Sequence, residues 1–230
     1  MGWTEAVDIY CERTSAAFWA EPVNAVTNLS FVLAALIAAR TARRLGIRAP
    51  IAWVLIVLAG LIGIGSFLFH TFANQWSALA DVLPIWTFVA LFVLTAMHQI
   101  GGMPVRRVLT WAGAVAILAV GAIVFAMGEG GGGAAEVAAT PDPLNGSGQY
   151  APALLALVVF SVVSWRRRYP GAPWSIAATG VFLLSLTFRT LDRDICAVLP
   201  LGTHWGWHLL NGLLIGLLLQ MLLRTGRFAR

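Results

Sequence analysis

Runs of apolar residues long enough to cross a membrane constrain this chain more than any other feature. About 20 apolar residues in a helix span the hydrocarbon core of a bilayer, and seven such runs can be read along the 230 residues. They lie at roughly 22–41, 50–72, 78–98, 104–127, 150–165, 173–190 and 203–223. The sequence therefore predicts an all-α, polytopic membrane protein built as a bundle of seven transmembrane helices.

Composition agrees with this prediction and excludes several other classes of protein. Only 11% of the residues are charged and 59% are apolar, whereas a soluble domain is about a quarter charged. This shortage of charge excludes an ordinary soluble globule, a disordered chain and a DNA-binding domain, despite a formal net charge of +5. We expect the lipid bilayer as a partner, and no nucleic acid.

The distribution of charge predicts the orientation of the bundle. All fifteen basic residues are arginine, and twelve of them follow odd-numbered spans. Nine of the ten acidic residues fall on the opposite side, and the tenth, Asp81, begins the third span. The positive-inside rule then places the C-terminus in the cytoplasm and the N-terminus outside.

We expect one integral membrane domain over residues 1–230. Its parts are an extracytoplasmic N-terminal segment, a seven-helix bundle and a cytoplasmic tail, at 1–21, 22–223 and 224–230. Residues 128–149 are glycine-rich and polar, which predicts a flexible outer loop between the fourth and fifth spans.

Ionisable residues inside spans are costly in a bilayer, so each marks a candidate functional position. His204 and His208 form HWGWH, and a separation of four residues puts both imidazoles on one face of a helix. This spacing suits a metal ion, although hydrogen-bonded core histidines or haem ligands would show the same pattern.

Ser66 and His70 are also four residues apart, at the outer end of the second span, and Asp81 begins the third. Taken alone, the serine could bond to its own backbone, and the aspartate could cap free N–H groups at a helix start. The predicted topology, however, brings both segments and HWGWH to one depth in the outer half of the membrane. Scattered core residues would not be expected to coincide in this way.

Three histidine nitrogens with one open position form a catalytic zinc site, so we expect His70, His204 and His208 to bind Zn²⁺. The HWGWH pair lacks the glutamate that supplies the general base in HExxH. Asp81 is the only carboxylate predicted at that depth and is the candidate for this role. Ser66 lies one turn from His70 and could donate a hydrogen bond to a developing oxyanion.

The N-terminal segment holds Asp8, Glu12 and Glu21 within fourteen residues. Such a cluster suits calcium, which takes six to eight oxygen ligands, but taken alone it more often belongs to a solvated acidic loop. Cys11 and Cys196 are the only cysteines. Both are predicted to lie outside, where an oxidising compartment would allow them to pair.

In combination, five segments resemble the alkaline ceramidase family, part of a wider group of seven-span membrane hydrolases that includes the adiponectin receptors. The segments are YCE at 10–12, AEPVNAVTNLSF at 20–31, GSFLFHTF at 65–72, the aspartate of ALADVLP, and HWGWHLL at 204–210. The resemblance implies zinc-dependent hydrolysis of a lipid amide, with ceramide or a related N-acyl lipid as substrate.

The resemblance also implies roles for individual residues. Asp81 matches the residue that activates water, and Ser66 matches the serine that stabilises the oxyanion. The family's zinc ligands are matched by His70, His204 and His208.

The resemblance extends to the N-terminal segment, where Cys11 and Cys196 match a lumenal disulfide. Ile9 departs from the family, which has an aspartate there. The positions to be considered for calcium are Asp8, Tyr10 (through its carbonyl), Glu12, Thr14 (where the family has asparagine) and Glu21.

Three hypotheses about function follow. The first is a zinc-dependent lipid amidase that releases a fatty acid and a sphingoid-type amine, with its site near the extracytoplasmic leaflet. The second is a non-enzymatic seven-helix receptor or sensor in which zinc is a structural tie. The third is a haem-binding redox protein with two intramembrane histidine ligands, which a Soret absorption band would reveal.

Overall fold

The computed structural model describes residues 2–114, 116 and 142–228. Apart from one isolated bridge between Ala6 and Asn74, the regular structure in these ranges is helical. The α-helices are α1 (Pro22–Thr27), α2 (Leu29–Arg44), α3 (Pro50–Phe72), α4 (Gln75–Gln99), α5 (105–114), α6 (Ala151–Arg166), α7 (Ala172–Leu191) and α8 (His204–Thr225). Short 3₁₀ turns occur at Ser147–Tyr150 and Arg193–Ile195.

Six helical segments in the described ranges are long and apolar enough to cross a membrane, with α1 and α2 counted together. The all-helical prediction is therefore confirmed. The fourth predicted span is described only at 105–114 and 116. Its remainder, and the predicted loop up to residue 141, lie outside the described residues. The orientation of the bundle stays a prediction.

Helix boundaries agree with the hydropathy pattern to within a few residues, and local capping explains the early start of α4. α4 begins three residues before the predicted start because Asn74 and Ser77 form a capping box, in which each side chain bonds to the other's backbone N–H. The first predicted span consists of two helices, with Asn28 between them.

Helix α8 is the most buried of the six spanning segments. It contacts α2 and α7 extensively, and α3 packs between α2 and α4. The main apolar core is drawn largely from α2, α3 and α8, with Leu55, Ile62 and Leu219 almost fully buried. Gly65 lets α3 approach α4 closely, because a Cβ there would collide with the Ala80 carbonyl.

The predicted disulfide between Cys11 and Cys196 is confirmed, with the two Cα atoms 5.3 Å apart. It joins the N-terminal segment to the connection between α7 and α8. The N-terminal segment is thereby held against the bundle end where α3 finishes and where α4 and α8 begin.

Candidate metal centre

Three buried histidines meet at this end of the bundle. His70 lies on the last turn of α3, and His204 and His208 lie on the first two turns of α8. Each is at most 2% exposed, and one ring nitrogen of each lies within 4.8 Å of the others. Within the described ranges, no other group of three or more His, Cys, Asp or Glu side chains comes this close together.

His70 is oriented by a carboxylate. Its Nδ1 lies 2.6 Å from Oε2 of Glu21, and a carboxylate accepts, so Nδ1 carries the proton. Nε2 then holds the free lone pair, and this atom is buried without a hydrogen-bond partner among the described residues. A carboxylate behind a histidine in this way is the usual second contact of a metal ligand.

His208 is oriented by a hydroxyl. Its Nδ1 lies 3.0 Å from Oγ1 of Thr27, and that hydroxyl also lies 2.8 Å from the Val23 carbonyl. Because the single hydroxyl proton is directed to a carbonyl, Thr27 accepts from Nδ1 of His208. Nε2 of His208 is therefore left as the ring's free acceptor.

His204 is held by stacking and by its backbone. Its ring stacks on Tyr10, with centroids 3.7 Å apart, and its Nδ1 is buried without a partner in the described part of the chain. Three close imidazoles with buried acceptor nitrogens fit a zinc ion, which prefers nitrogen and sulfur ligands.

Asp192 positions α8 and was not identified from the sequence. It is fully buried, and its Oδ1 accepts from the backbone N–H of Thr203 at 2.7 Å and of His204 at 2.8 Å. Oδ2 accepts from the N–H of Cys11. In the sequence, the only signal of this role was that Asp192 lies near Cys196. The residue it bonds, Cys11, is far away in sequence.

Ser66 and Asp81 flank the histidines. Ser66 lies one turn before His70 on α3 and is buried, and the neighbouring Gly65 packs against the Ala80–Asp81 backbone of α4. Asp81 lies on the second turn of α4, with Oδ1 buried and without a partner among the described residues. The sequence therefore identified residues that do come together, while their chemical roles stay predictions.

The residues considered for calcium differ in their exposure. Asp8 and Thr14 are exposed, whereas Glu12 and Glu21 are buried. Both carboxylate oxygens of Glu12 accept backbone N–H groups at the start of α1, from Val23 at 2.7 Å and Asn24 at 2.8 Å.

Burial and hydrogen bonding set the ionisation of this segment. Burial raises the pKa of Tyr10 to about 12, which keeps its hydroxyl protonated at physiological pH. Burial likewise raises the pKa of Glu12, although bonds from the Asn24 and Val23 N–H groups oppose it. For Glu21, burial is outweighed by contacts from His70, Asn24 and Arg13, so its pKa lies below the usual value.

Arg189 contacts Tyr10, the residue that stacks on His204, and also contacts two aromatic rings inside the bundle. Only 9% exposed, it places its guanidinium carbon 5.3 Å from the ring centroid of Trp207 and 5.7 Å from that of Tyr150, in range of cation–π attraction. Its Nη1 donates to the Tyr10 hydroxyl at 3.3 Å. From the sequence, Arg189 was counted only among the arginines that predict orientation, although an arginine inside an apolar span is itself a signal.

An elongated apolar cavity of about 420 Å³ lies beside the metal centre. Its described lining is apolar or aromatic except for Asn211. On each of three helices a lining residue lies within one turn of a site residue. These pairs are Ser66 with Ile62, Asp81 with Ile85, and His208 with Trp207. The lining continues along α4 to Met97, roughly 18 Å from Ile85 at 1.5 Å per residue.

Comparison with known proteins identifies the family. A family model described as Ceramidase matches residues 5–140, more than half of the chain. The match includes Ser66, His70 and Asp81, while His204 and His208 lie beyond it. No curated protein matches the chain. The chain belongs to the ceramidase family.

Proposed function

We propose that this protein is a zinc-dependent membrane hydrolase that cleaves the N-acyl amide of ceramide or a related lipid. Family membership implies a lipid amide hydrolase. The observation that supports zinc most strongly is the trio of close, buried imidazoles, of which His70 and His204 each have a buried ring nitrogen without a partner among the described residues. The products would be a fatty acid and a sphingoid-type amine.

Five residues of the site would have separate roles in the reaction. His70, His204 and His208 would hold the ion, which when bound supplies Lewis acidity and lowers the pKa of a water molecule. Asp81 would take a proton from the attacking water and return it to the departing nitrogen. Ser66 would donate to the carbonyl oxygen as it gains negative charge. The C–N bond of the amide would thus break, with the hydroxyl of water on the acyl carbon and its other hydrogen on nitrogen.

The apolar cavity supports a lipid substrate. Its volume falls within the roughly 300–1,000 Å³ of small-molecule sites, and its lining comes within one turn of site residues on three helices. An acyl chain lying along α4 would place its amide beside the histidines. The head group would then lie towards Arg189 and the N-terminal segment, and the substrate would enter from the extracytoplasmic leaflet.

Hydrolysis by purified protein tests this proposal. Wild-type protein in detergent should release fatty acid from a ceramide carrying a fluorescent acyl chain. His208→Ala should abolish both zinc binding and release, because one of three ligands is lost. His98→Ala is the matched control, since His98 lies at the other end of α4 and its Nδ1 contacts the Met103 carbonyl. Hydrolysis retained by metal-free His208→Ala protein would refute the proposal.

A further inference from the structure

The N-terminal segment contains a buried cation of its own. Arg13 is 8% exposed as a residue, and its Nε lies 2.5 Å from Oε1 of Glu21. Its Nη2 donates to the His70 carbonyl at 3.0 Å, and its Nη1 donates to the Ser15 carbonyl at 3.2 Å. One guanidinium therefore holds both the backbone of His70 and the carboxylate that orients the His70 ring.

These contacts occupy the buried carboxylate oxygens in the segment where the sequence suggested calcium. Oε1 of Glu21 faces Arg13, and Oε2 faces Nδ1 of His70 and Nδ2 of Asn24. Both oxygens of Glu12 accept backbone N–H groups. Calcium requires six to eight oxygens, and a guanidinium at the centre of the site would repel it.

The neighbouring side chains point to the same conclusion. Ile9 offers no side-chain oxygen, and the side chains of Asp8 and Thr14 are exposed. A planar guanidinium with five donors, in contrast, satisfies a carboxylate and two carbonyls at once. The residues of this segment therefore suit an internal arginine and do not fit calcium.

We propose that Arg13 takes the place of a calcium ion and positions the metal ligand His70 through Glu21. It is a positioning residue, because it reaches the candidate metal only through another side chain. The buried row Arg13–Glu21–His70 alternates a cation, a carboxylate and an imidazole, and removing the cation would leave a buried carboxylate without its charge partner. The inference rests on the metal centre of the proposed function, but it concerns metal binding and does not depend on lipid hydrolysis.

Zinc affinity and calcium binding test this inference. For purified wild-type protein, competition with a chromophoric chelator gives the zinc affinity. Calcium at several mM, above the roughly 10⁻⁴–10⁻³ M Kd of extracellular calcium modules, should change neither that affinity nor the unfolding temperature. Equilibrium dialysis with radioactive calcium should detect no binding.

Substitution separates the charge from the packing of Arg13. Arg13→Gln should weaken zinc binding by about 10–100-fold, as is typical when a contact behind a metal ligand is lost. Arg13→Lys retains the charge and should bind zinc more tightly than Arg13→Gln. Arg193→Gln, at an exposed arginine beside α7, should leave the affinity unchanged.

Two results would overturn the inference. The first is stoichiometric calcium binding by the wild type, and this measurement decides even if an Arg13 variant fails to fold. The second is a folded Arg13→Gln protein with wild-type zinc affinity, or with the same affinity as Arg13→Lys. A protein that binds zinc as expected but hydrolyses no lipid amide would contradict only the proposed function. A wild type that binds no zinc would contradict both that function and the positioning of a metal ligand by Arg13, and the calcium measurement would then decide only whether Arg13 takes the place of calcium.

Discussion

At the scale of single residues, each candidate ligand is held by a contact from outside its own helix. Glu21 holds His70, Thr27 holds His208 and Tyr10 stacks on His204. These contacts fix the ring orientations before any ion binds, which lowers the entropy cost of binding. They also distinguish this cluster from histidines that merely fill a core.

A substitution at Asp81 should separate catalysis from metal binding. Asp81→Asn should reduce hydrolysis by about 10²–10⁴-fold, the usual contribution of a general acid–base group. Zinc content should stay at the wild-type level, because Asp81 is not one of the clustered ligands. Fatty-acid release and metal analysis on the same preparation check both expectations.

Asp194→Asn is the matched control, because Asp194 is an exposed aspartate near the same end of the bundle. An Asp81→Asn protein with full turnover would contradict a catalytic role for this carboxylate. Zinc-loaded wild-type protein that hydrolyses no lipid amide would instead favour the receptor hypothesis with a structural metal.

Which site residues could be predicted depended on how local their signals are. Helical spacing indicates His204 and His208 directly, and it indicates Ser66 and His70 on α3 in the same way. Arg13 and Asp192 gave no such signal, because they bond to residues 57 and 181 positions away in sequence. The sequence suggested calcium at Glu12 because it shows a cluster of acidic residues. It does not show that backbone N–H groups donate to the Glu12 carboxylate.

At the scale of helices, the close approach of α3 and α4 brings Asp81 to Ser66 and His70. Gly65 sits at this contact, where an added Cβ would collide with the Ala80 backbone. No side chain can yield there, so the helices themselves would have to separate. The geometry around Asp81 therefore depends on a residue that has no functional group.

Gly65→Ala should lower both the unfolding temperature and hydrolysis. Gly60→Ala on the same helix is the matched control, because its added Cβ would lie 3.8 Å from Ala35 Cβ, an ordinary contact. This control should be neutral, or stabilising by up to about 1 kcal/mol, since alanine favours a helix over glycine. Equal effects of the two substitutions would contradict the importance of the α3–α4 contact.

Hydropathy predicts the helices well because each spanning segment must satisfy its own backbone hydrogen bonds in lipid. It predicted α3 at its observed boundaries, but it missed the interruption at Asn28. That break depends on hydrogen bonds between short polar side chains and nearby carbonyls, such as the 2.9 Å bond from Asn28 to the Asn24 carbonyl. These compete with helical bonding and leave apolar periodicity unchanged.

At the scale of the whole molecule, arginine distribution predicts that the metal centre lies on the extracytoplasmic side. Both native cysteines form the disulfide, so a single introduced cysteine provides a unique free thiol. In intact cells, a membrane-impermeant maleimide should label Ala16→Cys and should not label Arg48→Cys, both at exposed positions. Labelling of Arg48→Cys alone would show that the orientation is opposite to the predicted one.

The disulfide agrees with the predicted side, because stable disulfides form in oxidising compartments. It also ties the residues that orient His70 and His204 to the bundle, since Cys11 lies between Tyr10 and Arg13. The metal centre is thus assembled from the N-terminal segment and four helices. Hydropathy could place the helices, but it could not predict how the N-terminal segment folds over them.

Zinc titration of metal-depleted protein tests the central claim most directly. The account predicts that hydrolysis of a ceramide is absent after chelation, rises in proportion to added zinc, and stops rising at one zinc per chain. Full hydrolysis by protein that contains no stoichiometric metal would contradict it.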